Sequence, residues 1–414
     1  MKKGVLLILV ILFLSGCVKT ERNPLDSFLG TVIRDTADGF TGFLPGTDPG
    51  TTGGPVLDHY SLQVANNSVY MLAKDYSTQN RLYLAIFNGL GFDLVALPEL
   101  VQPANVSDFY ELIAVAFNDS TFTYSFYVAK YINGIIDIIY VFSSTNPSVS
   151  LGTASVVAMP AGEKYSTGIR YLNGTGVPYY YFTTDNIAVP GTYKTFYSTS
   201  PDLSGAVQMG GSGLCWKMEV YGMYAICGIY NYIDFATPTV ISNIAPTGIP
   251  SAVNYIHLDF FINGTSIYSI ENDPIIDTGL QLQSAPMATF PGSLTFGAPL
   301  FTGLSIPIGA DNASVKDVGD GISSTRAMFY QYFDVANSVH YPYLYITTDN
   351  YATSLTPGVI PFDHGGGRVE VFYHVNQFYM IGQDVLNNNA TVLYSSSDGI
   401  NWSQVNYTLN IIVP

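Results

Sequence analysis

The stretch that decides the fold is residues 367–408, GRVEVFYHVNQFYMIGQDVLNNNATVLYSSSDGINWSQVNYT. It contains four runs rich in β-branched and aromatic residues, at 369–375, 378–384, 390–396 and 401–408. Short runs of Asn, Gln, Ser, Asp and Gly separate them, and these residue types favour turns between strands. The stretch therefore predicts four consecutive antiparallel strands joined by hairpins.

The same pattern of strand, turn and Tyr-rich strand recurs along the chain from residue 57 onward. Its predicted hairpin turns are Asn66-Asn67, Asn118-Asp119, Asn173-Gly174, Tyr221-Gly222, Asn263-Gly264, Asn337-Ser338 and Asn376-Gln377. Most intervals are close to the 40–50 residues of propeller blades. The pattern predicts an all-β fold, a β-propeller of four-stranded antiparallel blades over residues 57–414, with seven blades.

One interval is longer than the others, because 74 residues separate Asn263 from Asn337. This interval contains either a loop insertion or a disguised extra blade, so six and eight blades stay open as alternatives. A transmembrane β-barrel is the rival fold. Against it, hairpins of a barrel would recur at shorter intervals, and many strands here are apolar at nearly every position, as in sheets buried on both faces.

Composition excludes some classes of function. Only 11% of the 414 residues are charged and the formal net charge is −16. A nucleic-acid partner requires a basic surface to meet the phosphates, so none is expected. Electrostatic attachment to an anionic membrane is disfavoured for the same reason.

The N-terminus predicts a different link to a membrane. Lys2 and Lys3 precede an apolar stretch at 4–14, which is too short to span a bilayer and is typical of a secretory leader. The following Leu14-Ser15-Gly16-Cys17 resembles the lipobox of bacterial lipoproteins. The resemblance implies a signal peptide at 1–16, cleavage before Cys17, and lipid on that cysteine, including acyl chains such as palmitate. An ordinary secretory leader is the alternative.

Residues 17–56 are rich in Gly, Pro, Thr and Asp and lack a sustained period, so we expect a flexible tether. Val18 stands where an acidic residue often marks retention in the inner membrane. The expected location is therefore the cell envelope, at the outer membrane or the cell surface, with the propeller held by its lipid anchor.

Ser396, Asp398, Gly399 and Trp402 form the pattern S-x-D-G-x-x-W between the third and fourth runs. It resembles the Asp-box, or BNR repeat, of sialidase-like propellers. The resemblance implies that Ser396 and Asp398 cap a tight turn and that Trp402 packs between sheets. Weaker echoes begin at Thr183, Ser198 and Thr347. A glycan-processing site is the alternative interpretation of the motif, although nothing marks the arginine triad of a sialidase.

Candidate ligand residues cluster where the chain would enter each innermost strand: Asp58, His59, Asp108, Arg326, His364 and Arg368. His364 and Arg368 bracket three glycines, which let backbone approach a ligand closely. A flexible loop between blades is the interpretation that we prefer for this segment, with a ligand site as the alternative. The sequence predicts no cofactor or metal, except that Asp311, Asn312, Asp317 and Asp320 form a loose candidate for a calcium site.

Cys215 and Cys227 remain as a pair after Cys17. A three-residue loop at 220–222 would set them opposite each other, and an oxidising envelope compartment favours a disulfide there. A two-residue loop would offset them and leave two buried thiols.

These observations predict a lipid-anchored propeller that presents a Tyr- and Asn-rich face to a glycan or a protein partner. Two alternatives stay open: a sialidase-like glycan hydrolase, and a structural envelope protein without a small-molecule ligand. Whether the protein is an enzyme is left undecided, with binding preferred.

Overall fold

A computed structural model describes residues 55–412, except 76–80, 102–107, 134, 175–176, 212–214, 216, 228, 249–255, 273–279, 305–312, 320–323 and 335–336. The predicted signal peptide and most of the predicted tether, including Cys17, lie outside the described residues. The strands form seven sheets. The fold is a seven-bladed β-propeller, as the repeat predicted, and its first strand begins two residues before the predicted boundary.

The strands of each blade follow one another in sequence from the innermost to the outer edge. Blade 1 contains β1 (Pro55–Ala65), β2 (Ser68–Asp75), β3 (Arg81–Phe87) and β4 (Gly91–Val101). Blade 2 contains β5 (Phe109–Asn118), β6 (Thr123–Ile132), β7 (Ile135–Ser144) and β8 (Ser155–Val156). Blade 3 contains β9 (Glu163–Gly174), β10 (Val177–Asn186), β11 (Tyr193–Ser198) and β12 (Val207–Gln208).

Blade 4 is the smallest and carries a fifth strand, β13 (Gly210–Gly211), which pairs with its outermost strand. Its other strands are β14 (Glu219–Tyr221), β15 (Tyr224–Ile226), β16 (Asn231–Asp234) and β17 (Val240–Asn243). Blade 5 contains β18 (Ile256–Asn263), β19 (Ser266–Asn272), β20 (Leu280–Pro286) and β21 (Phe301–Leu304).

Blade 6 contains β22 (Ala313–Val318), β23 (Arg326–Asp334), β24 (Val339–Thr347) and β25 (Thr356–Pro357). Blade 7 contains β26 (Glu370–His374), β27 (Gln377–Asp384), β28 (Ala390–Ser396) and β29 (Ser403–Gln404). One 3₁₀ turn, Val385–Asn387, is the helical segment of the described residues. No helix in this part of the chain is long and apolar enough to cross a bilayer.

The hairpin turns follow from backbone chemistry. Asn66 and Asn67 both have positive φ, which a two-residue hairpin turn requires at both central positions and which Asn tolerates better than most residues. Gly264 supplies the same conformation in blade 5. The Asn- and Gly-centred pattern therefore marks real turns between β1 and β2 and between β18 and β19.

Seven hydrophobic clusters hold the ring together, one between each pair of neighbouring blades. The cluster between blades 7 and 1 joins Phe372 and Tyr379 to Leu57 and Met71. Each sheet is thus buried on both faces, and this explains the strands that are apolar at nearly every position. Large aromatic side chains suit these interfaces because they fill the wedge between diverging sheets.

The ring is closed by the C-terminal strand β30 (Thr408–Ile412), which lies outside β4 and parallel to it. The sequence placed residue 408 in the fourth strand of the last blade, and this was wrong. That fourth strand is only Ser403–Gln404, and the chain then crosses to blade 1. The C-terminal strand therefore connects the end of the chain to the first blade.

Blade 6 differs from its predicted pairing. Asn337-Ser338 joins β23 to β24, the second and third strands, rather than the first and second. The innermost strand is β22, so the long interval holds ordinary strands of blades 5 and 6 and neither an insertion nor an extra blade. The displaced pairing also makes Arg326 the first residue of a second strand.

The two ends of the propeller are distinct. At the loop end, the chain enters each innermost strand and turns between second and third strands, for example at 55–58, 163–164 and 363–369. At the hairpin end lie the turns between first and second strands and between third and fourth strands, for example 66–67, 119–122, 375–376 and 397–401.

Candidate functional site

Three residues predicted for the ligand face meet at the loop end, where blade 7 adjoins blade 1. His59 Nε2 lies 3.1 Å from the carbonyl oxygen of Arg368. The neighbouring Asp58 forms an ion pair with Lys74, with 3.0 Å between Oδ2 and Nζ. Asp58 and His59 are both buried, so they support the position of Arg368 rather than present themselves to solvent.

Arg368 belongs to a group of charges around the axis of the ring, the channel cluster of Lys316, Arg368 and Glu370. Arg368 Nε donates to Glu370 Oε1 over 2.6 Å, and Lys316 Nζ donates to Glu370 Oε2. Lys316 lies on the innermost strand of blade 6, and Glu370 begins that of blade 7. The cluster therefore bridges two blades at the channel.

Exposure is divided unevenly within the channel cluster. The Glu370 side chain is 1% exposed, whereas that of Arg368 is 31% exposed and that of Lys316 is 38% exposed. Burial alone would raise the pKa of Glu370, but the charges of Arg368 and Lys316 outweigh burial and hold the pKa below its ordinary value. One buried carboxylate thus forms ion pairs with two cations that are accessible to solvent.

The guanidinium of Arg368 is further fixed by an aromatic ring, since its Cζ lies 5.9 Å from the ring centroid of Tyr60. A cation in this position is attracted by the face of the ring. Tyr60 comes from blade 1, so Arg368 is held by groups from two blades. Its orientation is therefore set before any ligand arrives.

A third cation, Lys217, reaches from blade 4 to the two following blades. Its Nζ donates to the carbonyl oxygens of Phe260, over 2.7 Å, and Val315, over 3.3 Å. These carbonyls belong to the innermost strands of blades 5 and 6. The Lys217 side chain therefore spans part of the channel where the innermost strand of blade 4 has only three residues.

The segment before Lys217 is held by the disulfide between Cys215 and Cys227. The pair was predicted, but the geometry behind it was wrong. Tyr221 pairs with Tyr224, so the hairpin has a two-residue turn, the register that was expected to offset the cysteines. The bond forms because strand β14 begins only at Glu219, which leaves Cys215 outside the ladder and able to approach Cys227.

The glycine-rich segment 363–368 is an ordered turn. Gly365 and Gly366 have positive φ, and His340 N donates to Gly366 O over 2.7 Å. His364 Nδ1 accepts from Gly366 N over 3.1 Å. Burial lowers the pKa of His364, which favours the neutral ring. The glycines therefore permit this turn beside Arg368.

Two other acidic residues of the loop end are engaged within their own blades. Asp108 Oδ1 accepts from the backbone of Asn133 over 3.3 Å. Glu163 accepts from Thr184 over 2.8 Å and from Lys194 over 2.6 Å. Burial would raise the pKa of Glu163, but these hydrogen bonds and the Lys194 charge lower it. Neither carboxylate joins the channel cluster.

Arg326 does not lie on the predicted face. Because β22 is the innermost strand of blade 6, Arg326 starts the second strand at the hairpin end. There it is buried in an ion pair with Asp317, whose Oδ1 also accepts from Tyr351 OH over 2.7 Å. The side chain is therefore engaged within blade 6, away from the loop end.

The same ion pair bears on the calcium candidate, since Asp317 is held by Arg326. Asp311, Asn312 and Asp320 lie outside the described residues. Within the described part of the chain, no group of three or more His, Cys, Asp or Glu is placed to hold a metal ion.

The predicted motif at 396–402 forms a capped turn. Asp398 Oδ1 accepts from the backbone of Ile400 over 2.9 Å and of Asn401 over 2.8 Å, and Ser396 Oγ accepts from Gly399 over 2.8 Å. Trp402 packs against the cluster between blades 6 and 7. The motif lies at the hairpin end, away from the channel cluster.

Two of the three weaker echoes form similar turns, also between third and fourth strands. Thr347 Oγ1 donates to Asp349 Oδ1 over 2.7 Å, and Ser200 Oγ donates to Asp202 Oδ1 over 2.6 Å. The echo at Thr183 instead lies in a second strand. The recurrence at equivalent places assigns these residues a role in turn stability.

The tyrosines do not form an exposed face. Among the described tyrosines, only Tyr230 is exposed, while the others are buried or partly buried. Tyr127 and Tyr181, both fully buried, donate from their hydroxyls to the carbonyls of Pro201 and Pro238. A ring between sheets with its hydroxyl on a nearby carbonyl satisfies both halves of the side chain.

Sequence reasoning missed Lys316, Glu370 and Lys217. The available signal was a charge within an otherwise apolar strand, as in Arg-Val-Glu before VFYH and Val-Lys-Asp in β22. Charged residues are rare in buried strands unless they are paired. Their partners come from other blades, so the sequence offered no local sign of which charges meet.

No family model matches the sequence, and no curated protein matches it significantly. Among solved structures, a puromycin-hydrolyzing peptidase of Mycobacterium tuberculosis has a TM-score of 0.49 and 10% identity, covering 87% of this chain and 54% of that chain. The chain thus spans about half the length of that peptidase.

Two glycan-related structures are also similar in shape. An exo-beta-1,3-galactanase of Phanerochaete chrysosporium has a TM-score of 0.34 and 10% identity, covering 84% of this chain and 78% of that chain. A Hadza microbial sialidase has a TM-score of 0.41 and 8% identity, covering 85% of this chain and 67% of that chain. At these identities the likeness concerns the fold alone.

Proposed function

We propose that the protein is a lipid-anchored binding module of the cell envelope, and that its propeller holds an acidic glycan at the loop end of the channel. The observation that carries the proposal is the channel cluster. Arg368 and Lys316 remain partly exposed although both are bonded to Glu370, which is buried. The cluster has one more positive than negative charge and is accessible only through its cations.

A carboxylate-bearing sugar fits this arrangement better than a neutral one. Arg368 presents a planar fork of donors, which matches the two oxygens of a carboxylate. The ion pair with Glu370 and the ring of Tyr60 fix the fork, so binding costs little side-chain entropy. Because the innermost strands converge on the axis, the position suits an extended or small ligand rather than a broad protein surface.

Binding is favoured over hydrolysis by the state of the buried carboxylates. A glycosidase needs a carboxylic acid that keeps its proton, which requires a raised pKa. The pKa values of Glu163 and Glu370 are instead lowered, and each carboxylate is bonded to a lysine. These two groups are therefore suited to holding cations and not to donating a proton to a leaving group.

A glycan array followed by calorimetry tests the proposal, with oligosaccharides of galacturonic acid against neutral galactose oligomers of equal length. We expect binding of the acidic series only, and a loss of about tenfold or more for Arg368→Gln, which removes the charge-assisted fork. Arg81→Gln is the matched control, since Arg81 is an exposed arginine at the loop end on a third strand.

Equal binding of neutral and acidic sugars, or equal loss in both variants, would refute the acidic-glycan site. Release of reducing ends from any of these sugars at a rate abolished by Glu370→Gln would favour the hydrolase alternative instead.

The lipid anchor rests on the lipobox-like residues 14–17 and is tested separately. We expect an alkyne analogue of palmitate to label the chain in bacteria, and a detergent-phase partition to retain it. Cys17→Ser should abolish both signals. Labelling that persists in Cys17→Ser, or no labelling of the unaltered chain, would exclude an anchor at this cysteine.

A further inference from the structure

The hairpin end exposes large apolar side chains in its turns and, at Val64, near the end of β1. Val64 is 54% exposed, Leu90 79%, Phe122 69% and Val375 74%. They come from blades 7, 1 and 2, which are neighbours in the ring. Contiguous exposed apolar surface of this kind marks interaction sites in soluble domains. These four residues are called the hairpin-end patch.

Contacts between the blades join the blade 7 and blade 1 parts of the patch. Tyr379 OH donates to Gly89 O over 3.5 Å, which places the turn of Leu90 beside blade 7. His374, next to Val375, has its Nδ1 3.3 Å from Asn67 O in the first hairpin of blade 1. Val375, Leu90 and the first hairpin of blade 1 therefore adjoin.

Further contacts continue the surface into blade 2. Asn66 Nδ2 donates to Tyr124 OH over 2.9 Å. The Tyr124 ring packs on Phe117 at 4.6 Å between centroids, and Phe117 in turn lies 6.4 Å from Phe122. All three rings are at least partly exposed. The turns that carry the exposed apolar side chains of these three blades therefore adjoin.

Two members of the patch occupy backbone conformations that suit other residues. Phe122 has φ 53° and Val375 has φ 43°, in the left-handed region that is unfavourable for bulky and especially β-branched residues. At the position of Val375, the first residue of a two-residue turn, blade 1 has Asn66 and blade 5 has Gly264. Strain of this kind is retained chiefly where it serves function. Here it is retained for side chains that contribute nothing to the core.

The charge around the patch has one sign. In the blades of the patch, the acidic residues in or beside the described turns of the hairpin end are Asp93, Asp119 and Asp398, and the other blades add Asp202, Asp234, Asp317 and Asp349. Among the described lysines and arginines, Arg326 borders one of these turns and is buried against Asp317, and Lys316, two residues from the end of β22, is bonded to Glu370. An exposed cation is therefore lacking at this described surface, in contrast to the loop end.

We propose that the hairpin-end patch docks a positively charged, apolar segment of another protein. The apolar tips supply desolvation, and the surrounding aspartates select a cationic partner and oppose an anionic one. The same negative field disfavours an anionic lipid surface and a second copy of this acidic chain. The surface lies at the end opposite the channel cluster, so the inference is independent of the proposed glycan site.

Fluorescence anisotropy with the full chain and three synthetic peptides of equal length tests the docking. One peptide combines lysine with leucine, one glutamate with leucine, and one lysine with serine. We expect binding of the lysine–leucine peptide alone. Val375→Asn and Phe122→Asn together should weaken it by about tenfold or more. Leu386→Ser, an 82% exposed residue at the loop end, is the control and should leave binding unchanged.

Thermal melts separate loss of docking from loss of folding. Asn accepts the left-handed conformation, so both Asn variants should melt at the same temperature as the unaltered chain or higher. Leu90→Ser provides an independent variant, because Leu90 is exposed and has no positive φ. The proposal is refuted by binding that ignores these substitutions, or by equal affinity for the glutamate or serine peptide. It is equally refuted if the patch instead drives self-association in sedimentation or binding to vesicles containing phosphatidylglycerol.

Discussion

The closure of the ring by its last strand gives a sharp test at Gly91. This residue begins β4 and pairs with Thr408, the first residue of the parallel strand β30. A Cβ added at Gly91 would lie 2.3 Å from Thr408 O and 2.7 Å from Thr408 N. Both atoms belong to backbone, so Gly91→Ala can be accommodated only if the closing strand moves by about 1 Å, since ordinary carbon contacts are ~3.5 Å.

The cost of that movement can be estimated from overpacked cores, in which extra methylenes typically destabilise by about 1–3 kcal/mol. A domain of roughly 350 residues has an unfolding entropy of about 0.7 kcal/mol per kelvin, so the melting temperature should fall by about 1–4 °C. The more informative readout is hydrogen exchange. Amides of 408–412 and of their partners in β4 should exchange faster, while those of blades 4 and 5 should not change.

Gly297→Ala is the matched control, because its added Cβ would meet only Ser284 O at 3.9 Å, an ordinary contact. If Gly91→Ala melts with the control and leaves exchange at 408–412 unaltered, the close approach of β30 to Gly91 is refuted. Accelerated exchange throughout the domain would also count against the reasoning, because the clash acts on one strand.

Two further predictions concern stability. The disulfide closes a loop with a sequence separation of 12, for which loop entropy gives about 3 kcal/mol of stability. The double substitution Cys215→Ser and Cys227→Ser should therefore lower the urea midpoint accordingly. A loss of unfolding free energy below about 1 kcal/mol would contradict this. The lowered pKa values of Glu163, Asp202 and Glu370 contribute stability above the unfolded carboxylate pKa, about 4, which is lost as pH falls. The pKa of His364 is also lowered, so the folded protein favours the neutral ring. The stability that this contributes is lost as the pH falls below about 6.5, where the unfolded chain takes up the proton. The melting temperature should therefore decline from pH 7 to pH 3. In His364→Asn, the part of the decline that begins at about pH 6.5 should be missing. A melting temperature that rises on acidification would overturn this.

Much of the architecture could be predicted because it depends on the properties of residues that are close together in the sequence. Turns centred on Asn or Gly need positive φ, and strands buried on both faces need continuous apolar runs, so both leave a signal in sequence. The prediction for blade 6 was wrong because its innermost strand, Ala313–Val318, is short. It also contains Lys316 and Asp317, which make the sequence look like that of a loop. Asn337-Ser338 has the same turn chemistry whether it joins the first or the second pair of strands.

Features that depend on distant partners could not be predicted. The pairing of Thr408 with Gly91 joins distant parts of the chain. Parallel strands are not connected by a hairpin, so no turn sequence marks this pairing. The candidate site shows the same division. Arg368 was found because of the neighbouring glycines, whereas Lys316 and Glu370 acquire significance only when blades 6 and 7 are placed side by side.

The distribution of charge between the two ends of the propeller makes the two proposals separable. At the hairpin end, aspartates such as Asp349 and Asp398 are retained by the turns that they cap, so the negative field is a consequence of how third strands connect to fourth strands. At the loop end, acidic groups such as Glu370 are neutralised by cations that remain accessible. A ligand that binds through Arg368 should therefore be insensitive to Val375→Asn, and a partner that docks at Val375 should be insensitive to Arg368→Gln. If either substitution impaired both activities, a single surface or a general loss of structure would explain the data better than two sites.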